Sequence, residues 1–160
     1  MDQVPESWRV YLSAKLEVLF ETKWHCFHGC SPKRPLPRLL AKELRDCATA
    51  YILTAWNPQS VELDLEENER RNGALQRDLS DLALPYYVAR GSSLSDDYGE
   101  LGYLVVSNVL YRQADPIFQL AKKYSQAAIY VIKDGVLSCV DSDGGLWVEM
   151  EDVTELLRDL

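Results

Sequence analysis

No stretch of this sequence approaches the roughly 20 consecutive apolar residues that a membrane-spanning helix needs. The first residues include Asp2 and Glu6, with neither a basic leader nor an unbroken apolar run, so no secretory signal is expected. A cytoplasmic location follows from these two absences. Positive charge is also scarce. The 160 residues carry 17 Lys and Arg against 25 Asp and Glu, for a net charge of −8. Residues 1–50 hold eight basic and six acidic groups, whereas residues 51–100 hold four and ten. A broad nucleic-acid surface needs clustered cations, and the one basic cluster, Lys33, Arg34 and Arg38, sits in a proline-rich loop. Nucleic acid is therefore not an expected partner.

Metal-ligating residues are sparse as well. His25-Cys26-Phe27-His28-Gly29-Cys30 has the right residue types, but a structural zinc site takes a second pair at short spacing, and Cys47 stands alone. No metal and no cofactor are expected. With Cys139 the cysteines number four, and a cytoplasmic chain keeps them reduced. Internal repeats, low-complexity segments and linkers are missing too. The length suits one domain over residues 1–160: a 49–140 core, a 1–48 N-terminal extension packed on it, and a 141–160 tail.

The centre of the chain is Tyr51-Ile-Leu-Thr-Ala-Trp-Asn-Pro-Gln-Ser60 and the helix after it. Tyr51 to Trp56 reads as a buried strand, and Asn57-Pro58 breaks it. Asp64, with Glu67 three residues on, predicts an N-cap and its reciprocal partner. The helix runs to Leu79, with an inward stripe at positions 65, 68, 72, 75 and 79. Three of those are leucines; Asn68 and Asn72 occupy the middle, where packing alone would place apolar side chains.

Elsewhere the pattern predicts a helix over 5–14, then a strand over 16–26. A helix over 36–47 follows, with Leu39, Leu40, Leu44 and Cys47 inward. Strands are expected at 84–90 and 102–107, with a polar loop at 91–97 between them. A helix starts at Asp115-Pro116, with Ile117, Leu120, Ala121 and Tyr124 inward. Strands at 127–132 and 136–140 flank the Asp134-Gly135 turn, and a short helix ends the chain over 151–160. The order from Tyr51 onward fits an α+β fold with an antiparallel or mixed sheet, helices mainly on one face, and a ferredoxin-like β-α-β-β-α-β core.

Thr54-Ala-Trp-Asn-Pro58, then Asn68 and Asn72 with Leu75 and Leu79, resemble the signature of the bacterial family called domain of unknown function 3293. Glu100-Leu-Gly-Tyr-Leu-Val105 resembles its glutamate-bearing strand, and Leu120-Ala-Lys-Lys-Tyr-Ser-Gln-Ala-Ala-Ile129 resembles its second helix with the strand that follows. The resemblance covers about residues 45–140. Ser125 stands where the family tends to have glycine, and Tyr98 fills the place where it usually has an aromatic such as tryptophan. The resemblance implies a shared polar set and no activity.

That set is Thr54, Asn57, Asn68, Asn72, Glu100 and Gln126. Buried amides must find partners, because an unmade interior bond costs about 1–3 kcal/mol. Either these groups satisfy one another and the nearby backbone, or they line a pocket for a small polar ligand. A protein-binding face is a third reading, and exposure of Trp56, Trp147 or Tyr86 would favour it. The catalytic alternative is a hydrolase or transferase with Glu100 as general base. Neither Ser60 nor Thr54 has a histidine near it in sequence.

Overall fold

The computed structural model describes residues 4–58, 61–93, 99–108, 116–143 and 145–158. A 3-10 turn over Glu6–Trp8 leads into the short helix α1 (Arg9–Leu12). The strands β1 (Ala14–Phe20) and β2 (Lys23–His28) form a hairpin, and α2 (Arg38–Asp46) follows. Next come β3 (Thr49–Leu53), α3 (Leu65–Asp81), β4 (Tyr86–Ser93) and β5 (Gly99–Ser107). The chain continues through α4 (Pro116–Lys123), β6 (Ala128–Lys133), β7 (Val136–Asp141) and β8 (Trp147–Asp152) to a last 3-10 turn over Thr154–Leu157.

Among the described residues, the eight strands join one antiparallel sheet, ordered β2-β1-β4-β5-β3-β6-β7-β8. The sheet curls into a half-barrel. Strand alternation sends β3 residues to opposite faces. Ala50 and Ile52 join a core with Leu40, Ala41 and Leu44 of α2 and with Leu156 and Leu157 of the last turn. Tyr51 and Leu53 join another with Leu75 and Leu79 of α3 and with Ile117, Phe118 and Ala121 of α4. Trp8 fills a third small cluster against Ala128 and Cys139.

This architecture corrects the expected ferredoxin-like core with helices mainly on one face. Helices cover both faces, and four further strands widen the sheet. Two of them were hidden by their turn. The predicted strand over 16–26 is two strands joined at Glu21-Thr22, whose φ values of 48° and 72° are left-handed without the Asn or Gly that signals a hairpin. Where a terminal helix is expected, Glu151 and Asp152 end β8 and Thr154–Leu157 form a 3-10 turn, while residues 159–160 lie outside the described residues. The strand expected at 84–90 runs over Tyr86–Ser93, so the first part of the expected polar loop is strand; residues 94–97 lie outside the described residues.

Two expected inward leucines face solvent. Leu39 is 66% exposed and Leu65 61% exposed; each sits in the first turn of its helix, short of the core. At the head of α3, Asp64 Oδ1 accepts the Glu67 N–H at 2.8 Å as predicted. The reciprocal bond gives way to a rival, because the Glu67 carboxylate takes the Arg70 guanidinium instead.

Candidate functional site

After β3 the chain leaves the sheet, and among the described residues no ladder bond satisfies the backbone from Thr54 to Pro58. The asparagines of α3 do so. Asn72 Oδ1 accepts the Ala55 N–H at 2.9 Å, and its Nδ2 donates to the Leu101 carbonyl at 2.7 Å. One turn earlier, Asn68 Oδ1 accepts the Asn57 N–H at 2.9 Å. Its Nδ2 donates to Asn57 Oδ1 at 2.9 Å and to the Leu63 carbonyl at 3.2 Å. Both are buried. Spacing of four places them one above the other on the inward face, so each reads a different rung of the departing chain. They converge on the Asn-Pro corner, but their polar atoms are engaged rather than turned into an open pocket.

Thr54 and Gln126 do similar work. The Thr54 hydroxyl donates to the Leu101 carbonyl and accepts the Trp56 N–H at 3.0 Å. Gln126, also buried, donates to the Trp56 and Tyr124 carbonyls, both at 3.2 Å. Gly102 makes this close approach possible. A Cβ there would stand 2.5 Å from the Leu53 carbonyl oxygen.

The structure thus brings all six predicted residues to one corner, with different tasks. Five hold backbone or one another. Glu100, half-buried at the start of β5, is the exception. Its Oε1 accepts from Asn57 Nδ2 at 3.0 Å, and Asn57 in turn accepts the Leu63 N–H at 3.0 Å. Asn57 sits at φ 44°, a left-handed conformation that asparagine tolerates better than most residues. Burial pushes the Glu100 carboxyl above its usual range, and the Asn57 bond only partly opposes that.

Three contributors escaped sequence reasoning. Tyr11, from α1, has its hydroxyl pushed well above the ordinary phenol range by burial first and by the Glu100 charge second, so the phenol stays protonated. Tyr130 donates to the Tyr11 carbonyl at 2.8 Å and holds α1 in place. Arg71 donates to the carbonyls of Ala55 (2.8 Å) and Tyr124 (2.5 Å), tying the corner to the end of α4. No local pattern marks Tyr11 or Tyr130, since topology alone joins them to Glu100. Arg71 had one faint signal: it stands beside an inward asparagine in a helix whose neighbouring charges are solvated.

Trp56 is buried, and Tyr86 is half-buried against the edge of Tyr103. Trp147 is 36% exposed. Ser60 and Tyr98 lie outside the described residues. Among the described residues, no three His, Cys, Asp or Glu side chains gather as a metal site would require. None of the described helices is long and apolar enough to cross a membrane.

One comparison with known proteins matches: the family model described as a protein of unknown function, DUF3293, covers residues 53–129. That span runs from the end of β3 into β6 and contains the whole corner. No curated protein and no solved structure matches the chain.

Proposed function

Starting from residues 53–129 as a member of this family of unknown function, we propose that the protein is a binding module whose working group is Glu100. The ligand is a small polar molecule carrying an amine or a hydroxyl that meets the carboxylate beside Tyr11 and Asn57. A protein side chain of the same chemistry, a lysine or an N-terminus, is the macromolecular version of this reading. One observation carries it. Four polar residues and the Asn57 backbone are used up in fixing a corner that has no ladder of its own, and what the corner holds out is a half-buried carboxylate whose described hydrogen bond is a single amide. Burying a carboxylate with so little compensation is unfavourable, and a cationic or donor ligand would relieve it. A cytoplasmic site of action belongs to the same proposal.

Purified protein screened by thermal shift against amines, polyols and nucleosides tests this. A compound at a hundred times its Kd should stabilise the wild type by about 2.7 kcal/mol and leave Glu100→Gln unmoved. Equal shifts in both proteins would overturn the reading.

A second reading, a hydrolase or transferase with Glu100 as general base, draws support from the raised carboxyl, because a base works best with its pKa near the operating pH. Turnover by the wild type and its loss in Glu100→Gln would favour it over binding alone.

A further inference from the structure

The cysteines expected to be reduced include a bonded pair: Cys26 and Cys30 form a disulfide, while Cys47 and Cys139 are free. The bridge lies at one margin of the sheet, since β2 is the first strand in its order and β8 the last. Curling brings these margins together. His28, inside the five-residue ring, bonds Glu151 of β8 through Nδ1, and Lys33, three residues beyond Cys30, pairs with the other oxygen of the same carboxylate. Leu36 N–H then donates to the Leu156 carbonyl at 3.1 Å. Gly29 lets the ring lie flat on β1. Its φ is +74°, and a Cβ there would meet Lys15 Cα at 3.0 Å.

We propose that Cys26 and Cys30 are a redox-active dithiol centre whose oxidised form clasps the two margins of the half-barrel. Both cysteines are half-buried, so a thiol can reach them, and accessible disulfides are the labile, regulatory ones. Lys15, on which Gly29 of the ring packs, and Lys33, just beyond the ring, put positive charge near the pair, which favours a thiolate. The facing acids are already engaged, Glu17 with Arg90 and Glu151 with His28 and Lys33. In the reductive step a thiolate of a dithiol reductant attacks one cysteine sulfur. The Cys26–Cys30 bond breaks, and the reductant's second thiol releases the protein and leaves as its own disulfide. Two electrons and two protons end on Cys26 and Cys30. Without the bridge, the Gly29–Leu36 segment is no longer tethered at Cys30, and its grip on Glu151 loosens.

The intact protein is equilibrated across glutathione redox buffers, free thiols are alkylated and counted by mass spectrometry, and amide exchange is followed in β8 and β3. The expected result is a reversible transition adding two labelled thiols at Cys26 and Cys30. Exchange in β8 should then rise about tenfold while β3 keeps its protection, and Glu151→Gln should show fast β8 exchange in both redox states. No disulfide at any glutathione ratio, equal β8 exchange in both states, or loss of β3 protection on reduction would each overturn the proposal.

Discussion

Asn68 and Asn72 show what a polar residue in a helical stripe can mean. Their positions in the sequence announce burial, and the structure buries them, but the choice between scaffold and ligand reader rests on which atoms they meet. Those atoms belong to Ala55, Asn57, Leu63 and Leu101, and no periodicity shows them. Replacing Asn68 with Leu strands the Asn57 N–H and the Leu63 carbonyl, so we expect a loss of about 2 kcal/mol in a denaturant titration, with faster exchange at Asn57. Glu100 behaves in the opposite sense. Its folded pKa is raised, so the native state holds its proton more tightly than the unfolded chain does. Its contribution is favourable below the unfolded value and is lost as pH rises through the folded one. Glu100→Gln should therefore raise Tm at pH 7–8, with the gain shrinking toward pH 4, while ligand stabilisation disappears. A carboxylate kept only for structure would show no such exchange of stability for binding.

At the scale of elements, α3 was the most legible part of the chain. Its cap, its length and four of its five stripe positions are where the pattern predicts, because a 17-residue helix averages over local exceptions. The β1–β2 hairpin was the least legible. A turn made by glutamate and threonine at positive φ carries no turn signal, so the two strands read as one. The helix also depends on a residue that its own periodicity does not select. Arg71 joins the residue after Thr54 to the end of α4, and its guanidinium lies 5.8 Å from the centre of the Tyr124 ring. Arg71→Met should cost about 1–3 kcal/mol and loosen both segments together, visible as paired loss of exchange protection near Ala55 and Tyr124. At Gly102 the crowding is backbone against backbone, so Gly102→Ala should destabilise by about 1–3 kcal/mol, measured by the denaturation midpoint.

For the molecule as a whole, the sheet's two margins matter most. The sequence showed most of the strands but not that the first and last of them would approach one another, because margin-to-margin contact follows from curl and not from any local pattern. Although burial pushes Glu151 up, its bonds from Lys33 and His28 outweigh that and hold it below the usual carboxylate range. The sign is then the usual one for an acid. Its stabilisation is present above the unfolded pKa and is lost as pH falls through the folded one. Glu151→Gln should flatten the acid limb of the stability–pH curve and leave the limb above pH 7 unchanged, as read from melting temperatures across pH.

The seating of Trp8 and Tyr11 against Ala128, Tyr130 and Cys139 has a consequence for synthesis. More than a hundred residues must leave the ribosome before the platform that receives them exists. Until then two large aromatic side chains at the start of the chain have nowhere native to go. Assembly should be late and slow for the chain's size, as expected where distant segments must meet, and a nascent chain stalled before Ala128 should present those aromatics to chaperones.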